Sequence, residues 1–381
     1  MEFSAFSKGI EPFLAMEVME RGMAMEASGR SIVQMGVGEP DFSPPPTVVE
    51  ATVKALHDGC THYTDSRGIR PLREAIAEDT FRRRGVEVDP DRILVTSGTS
   101  PALGMVFRLL LGPGDEIVIP TPHYPCYVNM VQLCGAKSVL VTTHAEDGFC
   151  IDVDEVKRLI TPKTKAILVA SPANPTGAVQ PRSVIEGLAA LGLPILSDEI
   201  YDELLFDDVE MTSPLGKNKD CFVFDGFSKR YAMTGYRVGY VIVPEAATRA
   251  MQSMQQSLHI STADFVQLAA LAALKSGKPH VDMMRAAYAT RRNLIVDGIR
   301  SLGLKVAKPP QGAFYVLADA RHYEMPSLEL AFALLDHAGV AVGPGLDFGV
   351  AAEGFVRFSY ATSNANILDG LERLKVGLEH L

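Results

Sequence analysis

The chain has 381 residues, 47% apolar and 22% charged, with a formal net charge of −10. That balance is ordinary for a soluble globular enzyme of two or three domains, and an acidic total without any Lys/Arg-rich block argues against nucleic acid as a partner. Five scattered cysteines (Cys60, Cys126, Cys134, Cys150, Cys221) with no CxxC pair read as reduced thiols of a cytoplasmic protein.

Met1 to Ala5 lacks the basic start and apolar run of a signal peptide. The segment 117–136 carries no Asp, Glu, Lys or Arg and is long enough to span a bilayer, but Pro120, Pro122, Pro125, Asn129 and Gln132 break it, so no membrane segment is expected. Nine scattered histidines without HExxH spacing give no metal site.

The chain opens with an amphipathic stretch and a turn, Gly36-Val37-Gly38-Glu39-Pro40. Two of its glycines are spaced for a dinucleotide loop, but the third is missing and no helix follows. Residues 47–56 read as a helix. Tyr63 then precedes a further helical run, where it fits an interface or surface aromatic. From Ile93 onward short apolar runs alternate with helical segments. Strands are expected over 93–96, 116–119, 138–141, 166–170, 194–196, 221–224 and 237–244. Helices are expected over 99–111, 124–133, 153–160 and 184–191. Such alternation predicts an α/β domain: a mostly parallel sheet covered by helices on both faces. Helices over 246–258, 263–274 and 281–302 follow. Strands at 313–317, 340–342 and 356–360, with helices at 328–338 and from Ala365, then predict a small α+β domain. The boundaries this gives are an N-terminal segment 1–46, a large domain 47–280 and a small domain 281–381.

Open sheets of this type bind ligands beyond the carboxyl ends of their strands, so the loops there carry the search. After 93–96 the run Thr96-Ser97-Gly98-Thr99-Ser100 opens a helix, and its free N–H groups suit a phosphate as well as a simple cap. After 166–170 comes Asn174, able to hydrogen-bond a phenolic oxygen. After 194–196 come Asp198, able to meet a protonated pyridine nitrogen, and Tyr201, a donor to the same ring. After 221–224 come Ser228 and Lys229, with Arg237 eight residues on. A lysine at a buried strand end can form a Schiff base once its amine loses a proton. Arg237 and Ser228 could together hold an anion, which is the layout for a phosphorylated aldehyde. Arg357, inside an apolar strand, needs an anionic partner, and its planar fork suits a carboxylate.

These motifs, in this order from Gly36 to Tyr360, closely resemble the class I/II aminotransferases, the fold-type I pyridoxal-phosphate enzymes. The resemblance implies a Lys229 aldimine with pyridoxal 5′-phosphate, and Lys229 as the base that moves the substrate proton. It implies Tyr124 stacked on the cofactor ring, and Asn174, Asp198 and Tyr201 around it. The phosphate would lie among Gly98, Thr99, Ser228 and Arg237, joined by Tyr63 from the neighbouring subunit of a homodimer. Gly38 and Arg357 would bind the α-carboxylate of an L-amino acid, which gives its amino group to a 2-oxo acid. The N-terminal segment would fold onto the small domain. Some aspartate-preferring relatives carry a lysine shortly after the Ser-Gly pair. This chain has Thr99-Ser100-Pro101 there, which leaves Arg30 and Arg67 as candidate ligands for a distal carboxylate. The same scaffold also supports C–S β-elimination or decarboxylation. A ligand sensor on this fold would carry a basic DNA-binding domain, for which some 35 residues before Gly36 are too few.

Overall fold

The computed structural model describes residues 6–379; the leader reading made on Met1 to Ala5 falls outside them. The N-terminal part comprises α1 (Leu14–Ala27), β1 (Val33–Gln34), α2 (Pro46–His57) and α3 (Arg70–Arg84). The middle part comprises β2 (Ile93–Thr96), α4 (Thr99–Leu110), β3 (Glu116–Thr121), α5 (Cys126–Leu133), β4 (Lys137–Thr142), α6 (Val153–Leu159), β5 (Thr164–Ala170), α7 (Arg182–Ala190), β6 (Ile195–Asp198), β7 (Phe222–Gly226) and β8 (Gly239–Ile242). Then come α8 (Thr248–Leu258), α9 (Asp264–Ser276), α10 (Lys278–Ser301), β9 (Tyr315–Asp319), α11 (Ser327–Ala338), β10 (Val340–Ala341), β11 (Gly343–Pro344), β12 (Phe355–Ser359) and α12 (Asn364–Leu378).

The central sheet runs β2-β8-β7-β6-β5-β3-β4, and every strand but β8 points the same way. Its inner strands are mostly apolar because both their faces are buried, whereas the edge strand β4 leaves Lys137, Leu140 and Thr142 exposed. Alternation sorts their side chains between two cores. Val95, Val118, Ile167 and Val223 pack under α3, α7 and α9. Leu94, Ile117, Leu168 and Phe224 pack under α4, α5 and α8.

A second sheet, β11-β12-β9, is antiparallel. Its core gathers Phe314 and Phe358 with Tyr288 of α10, Leu334 of α11 and Ile367 of α12, and also Val18, Val33 and Met35 from the N-terminal part. The backbone joins there too: β1 pairs with β10, Met35 N donates to Ala341 O at 2.9 Å and Ser359 N to Met35 O at 2.6 Å. Those bonds fix the Gly36–Gly38 turn beside β12.

Several expected boundaries move by a few residues, and two of the shifts have a local cause. Helix α5 starts at Cys126 rather than Tyr124, because a residue before proline is steered out of the helical region. Strand β8 starts at Gly239, because Arg237 takes a left-handed backbone with φ of 53°.

Candidate active site

Five loops leave the carboxyl ends of β2, β3, β5, β6 and β7 at one edge of the central sheet, and β8 enters at that edge. They surround a cavity of about 350 Å³ that also borders α1, the Gly36–Gly38 turn and the second sheet. Gly38, Thr99, Tyr124, Asn174, Asp198, Tyr201, Ser228, Lys229, Arg237 and Arg357 all line it.

Lys229 Nζ donates to Gly38 O at 2.5 Å. Burial pushes its amine down to about 8, an effect that the nearby Arg357 and Arg237 reinforce and Glu39 and Asp198 oppose. Glu39 itself accepts from the Thr234 hydroxyl. Burial pushes the Asp198 carboxyl up to about 6, even though Tyr127 Oη donates to its Oδ2 at 2.6 Å. An ionised Asp198 is therefore costly in the bare pocket and is relieved by a cation placed against it.

Arg357 is 2% exposed. Its Nη1 donates to Asn174 Oδ1 at 2.9 Å, its Nη2 donates to Gly36 O, and its Nε has no acceptor. The guanidinium stacks 4.6 Å over the Tyr315 ring and 4.7 Å over Phe348. Tyr315 also shares a 2.8 Å hydrogen bond with Tyr201 through their hydroxyls. A planar fork held flat between two rings, with one donor unspent, is prepared for an anion.

At another part of the wall Gly98 caps α4. Its φ is 97°, and a Cβ there would stand 2.7 Å from Arg237 Nη2. Only glycine allows the arginine to lie across the helix start, where the dipole and free N–H groups also favour an anion. Arg237 is exposed, with Nη1 donating to Thr234 O at 3.0 Å. Ser228 stands on the same cavity wall. Phosphate donors, a carboxylate for a ring cation, a low-pKa amine and a stacked guanidinium in one cavity fit pyridoxal phosphate and an amino acid. Among the described residues no group of three or more His, Cys, Asp or Glu side chains is arranged to hold a metal.

Tyr63 stands apart. It is 78% exposed and does not reach the cavity of its own chain. Arg30 and Arg67 do not line the cavity either. Arg30 donates to Asp336 O at the end of α11, and Arg67 pairs with Asp65 and Asp91. Four participants escaped the sequence reading. Tyr127 is one helical turn beyond Tyr124, and that spacing was the available signal. Tyr315 lay within an apolar strand. Phe13 and Met16 at the start of α1 line the cavity because Asp347 accepts from Leu14 N at 2.9 Å and Ala15 N at 3.2 Å.

Residues 30–374 match the family model for aminotransferase class I and II. The chain is 40% identical over 373 residues to the aspartate/prephenate aminotransferase of Thermus thermophilus, covering 96% of each protein. It is 36% identical over 384 residues to the arginine–pyruvate transaminase of Pseudomonas aeruginosa, covering 98% of this chain and 97% of that one. The solved structure of the Thermus thermophilus aspartate aminotransferase with maleate superposes with a TM-score of 0.94 at 40% identity, covering 98% of this chain and 99% of that one.

Proposed function

The chain belongs to the class I and II aminotransferase family, and from that premise we propose how its own residues carry out the transfer. It is a transaminase of the pyridoxal-phosphate fold. Pyridoxal phosphate, when bound, supplies the electron-accepting ring that makes the substrate α-hydrogen acidic.

Lys229 is the residue that joins the cofactor. Gly98 N–H, Thr99, Ser228 and Arg237 would hold its phosphate, and Tyr124, Asp198, Asn174 and Tyr201 would hold its ring, with Asp198 as the carboxylate for a ring cation and Asn174 and Tyr201 as hydrogen-bond donors. Arg357 takes the α-carboxylate of the incoming L-amino acid in two-point contact, with Gly38 beside it. Lys229 Nζ would take the proton from the substrate α-carbon as a base and hold it for return as an acid. Water would supply the keto oxygen as a 2-oxo acid leaves, the amino group would stay behind on the cofactor, and a second 2-oxo acid would collect it by the reverse steps, releasing that water. The observation that carries this reading is the low-pKa Lys229 amine sharing one cavity with Asp198, Arg237 and Arg357.

We further propose a cytoplasmic homodimer with shared sites. All five cysteines are unpaired, and no helix among the described residues is long and apolar enough to cross a membrane. Val49, Val53 and Leu56 recur on one exposed face of α2, close in sequence to Tyr63. Burying that stripe against a second copy would let Tyr63 reach the partner's phosphate. We also propose domain boundaries near residues 46 and 280, a reading supported by the separate sheets and by the pairing of β1 with β10.

The test is the absorbance of the purified holoenzyme with a single amino acid and no oxo acid. Conversion of the cofactor band, with release of one 2-oxo acid, supports the reading. Ammonia release with no converted band would favour elimination. The Lys229→Ala variant is expected to give no turnover.

A further inference from the structure

The cavity settles its three cations before the substrate side chain is considered. Lys229, Arg237 and Arg357 are the cationic side chains on its wall among the described residues. On the reading above they serve the amine chemistry, the phosphate and the α-carboxylate in turn. The other charged groups there are Glu39 and Asp198, both acidic. Among this chain's own side chains a second carboxylate on the substrate would therefore find no free counter-ion, and a buried unpaired carboxylate is strongly disfavoured. A basic side chain would find Glu39, which already answers to Thr234 and to the Lys229 charge.

What remains of the wall is apolar. Phe13, Met16, Val37, Leu103 and Ile200 contribute to it. Phe13 packs edge-on against Tyr124 with ring centroids 6.3 Å apart. The start of α1 keeps its place through the two backbone bonds to Asp347, so Phe13 and Met16 form a cover anchored from the turn between β11 and β12 rather than a loose end.

We propose that this site selects amino acids with an uncharged, apolar side chain, which packs beneath Phe13 and Met16, and disfavours acidic donors such as aspartate and glutamate. The proposal rests on the transaminase assignment and on the roles given to Arg237 and Arg357.

The experiment is the single-turnover half-reaction of the holoenzyme with leucine, methionine or phenylalanine, then with aspartate or glutamate, then with lysine or arginine. Apolar donors are expected to convert the cofactor band at least about tenfold faster than either charged class. In parallel, calorimetry with the unreactive acids 4-methylpentanoate and glutarate is expected to give tighter binding of the monoacid by a similar factor. Met16→Lys would place a cation in the cover and is expected to raise the aspartate rate relative to leucine. Equal or faster conversion by aspartate, or tighter glutarate binding, overturns the proposal and leaves the transaminase reading intact. Faster conversion by arginine or lysine overturns it in the same way. No conversion by any amino acid overturns both.

Discussion

Arg357 Nη1 donates to Asn174 Oδ1 at 2.9 Å, tying strand β12 of the second sheet to the loop after β5 of the first. The bond makes the Arg357 fork and the Asn174 amide one unit. Arg357→Lys keeps the charge and loses the planar fork. The expected result is a rise in amino-acid KM of about 10- to 100-fold with a smaller fall in kcat. Asn174→Ala is expected to do part of the same damage, because Arg357 then loses a fixed partner. The double variant should cost less than the product of the two. A four-enzyme kinetic cycle measures this, and strict additivity would show the bond to be idle.

Tyr127 donates to Asp198 at 2.6 Å and so lowers a carboxyl that burial has raised to about 6. Tyr127→Phe removes that donor and should raise the Asp198 pKa further. A protonated Asp198 cannot balance a ring cation, so the acid limb of the pH–rate profile should move to higher pH. A hydrogen bond to a charged group is worth about 1.5–3 kcal/mol, so the limb should move by about one unit or more. Half-reaction rates of both enzymes between pH 5 and pH 9 decide it. A uniform loss at every pH would reduce Tyr127 to a packing residue.

Burial disfavours the charge of the Lys229 amine and pushes its pKa down to about 8. Cofactor loading needs the free amine as nucleophile. The loading rate of cofactor-stripped protein should therefore rise with pH and level off above about 8, whereas an unperturbed lysine would keep rising toward about 10.4. The stability sign follows from the same shift. A depressed folded pKa contributes stability above the unfolded value, and that contribution is lost as pH falls toward about 8. At neutral pH the stripped Lys229 ammonium costs stability, so Lys229→Met should raise the denaturation midpoint of stripped protein while abolishing loading. A loading midpoint at the ordinary lysine value would refute the burial argument.

Asp198 and Arg357 were legible in the sequence because each closes or interrupts an apolar run that had to be a buried strand, and Asn174 and Lys229 because each stands in the loop just beyond one. Periodicity also gave both layers of the central sheet. It did not give the direction of β8, since an apolar run looks the same whichever way the chain enters. Tyr127 and Tyr315 were hidden for a related reason: a phenol among apolar neighbours resembles a core aromatic until a partner distant in sequence is placed beside it. Those partners are Asp198 for Tyr127, and Tyr201 and Arg357 for Tyr315. The cover formed by Phe13 and Met16 depends on Asp347, more than 300 residues away, and no local pattern encodes that contact.

Asp79 lies behind the site in a buried ionic cluster. Arg230, the neighbour of Lys229, forks onto its two oxygens at 2.7 and 2.9 Å, and Arg83 Nε donates to it at 2.9 Å. Arg83 continues to Asp225 at 2.8 Å, and Arg84 reaches Glu199, the neighbour of Asp198. The cluster thus braces from behind the two loops that carry Lys229 and Asp198. Burial alone would raise the Asp79 pKa, but the Arg230 hydrogen bonds and the Arg83 charge hold it well below the usual carboxylate range. Its contribution to stability is present at neutral pH and is lost as pH falls below about 4, the unfolded value. Asp79→Ala leaves Arg230 and Arg83 buried without this partner and is expected to cost about 3–5 kcal/mol in denaturant unfolding. Asp79→Asn keeps the shape and loses the charge, so it should fall in between. Because Arg230 would then be free to shift, both variants should also slow cofactor loading at Lys229. A loss below about 1 kcal/mol, as for an exposed ion pair, would show that the remaining acids of the cluster replace Asp79.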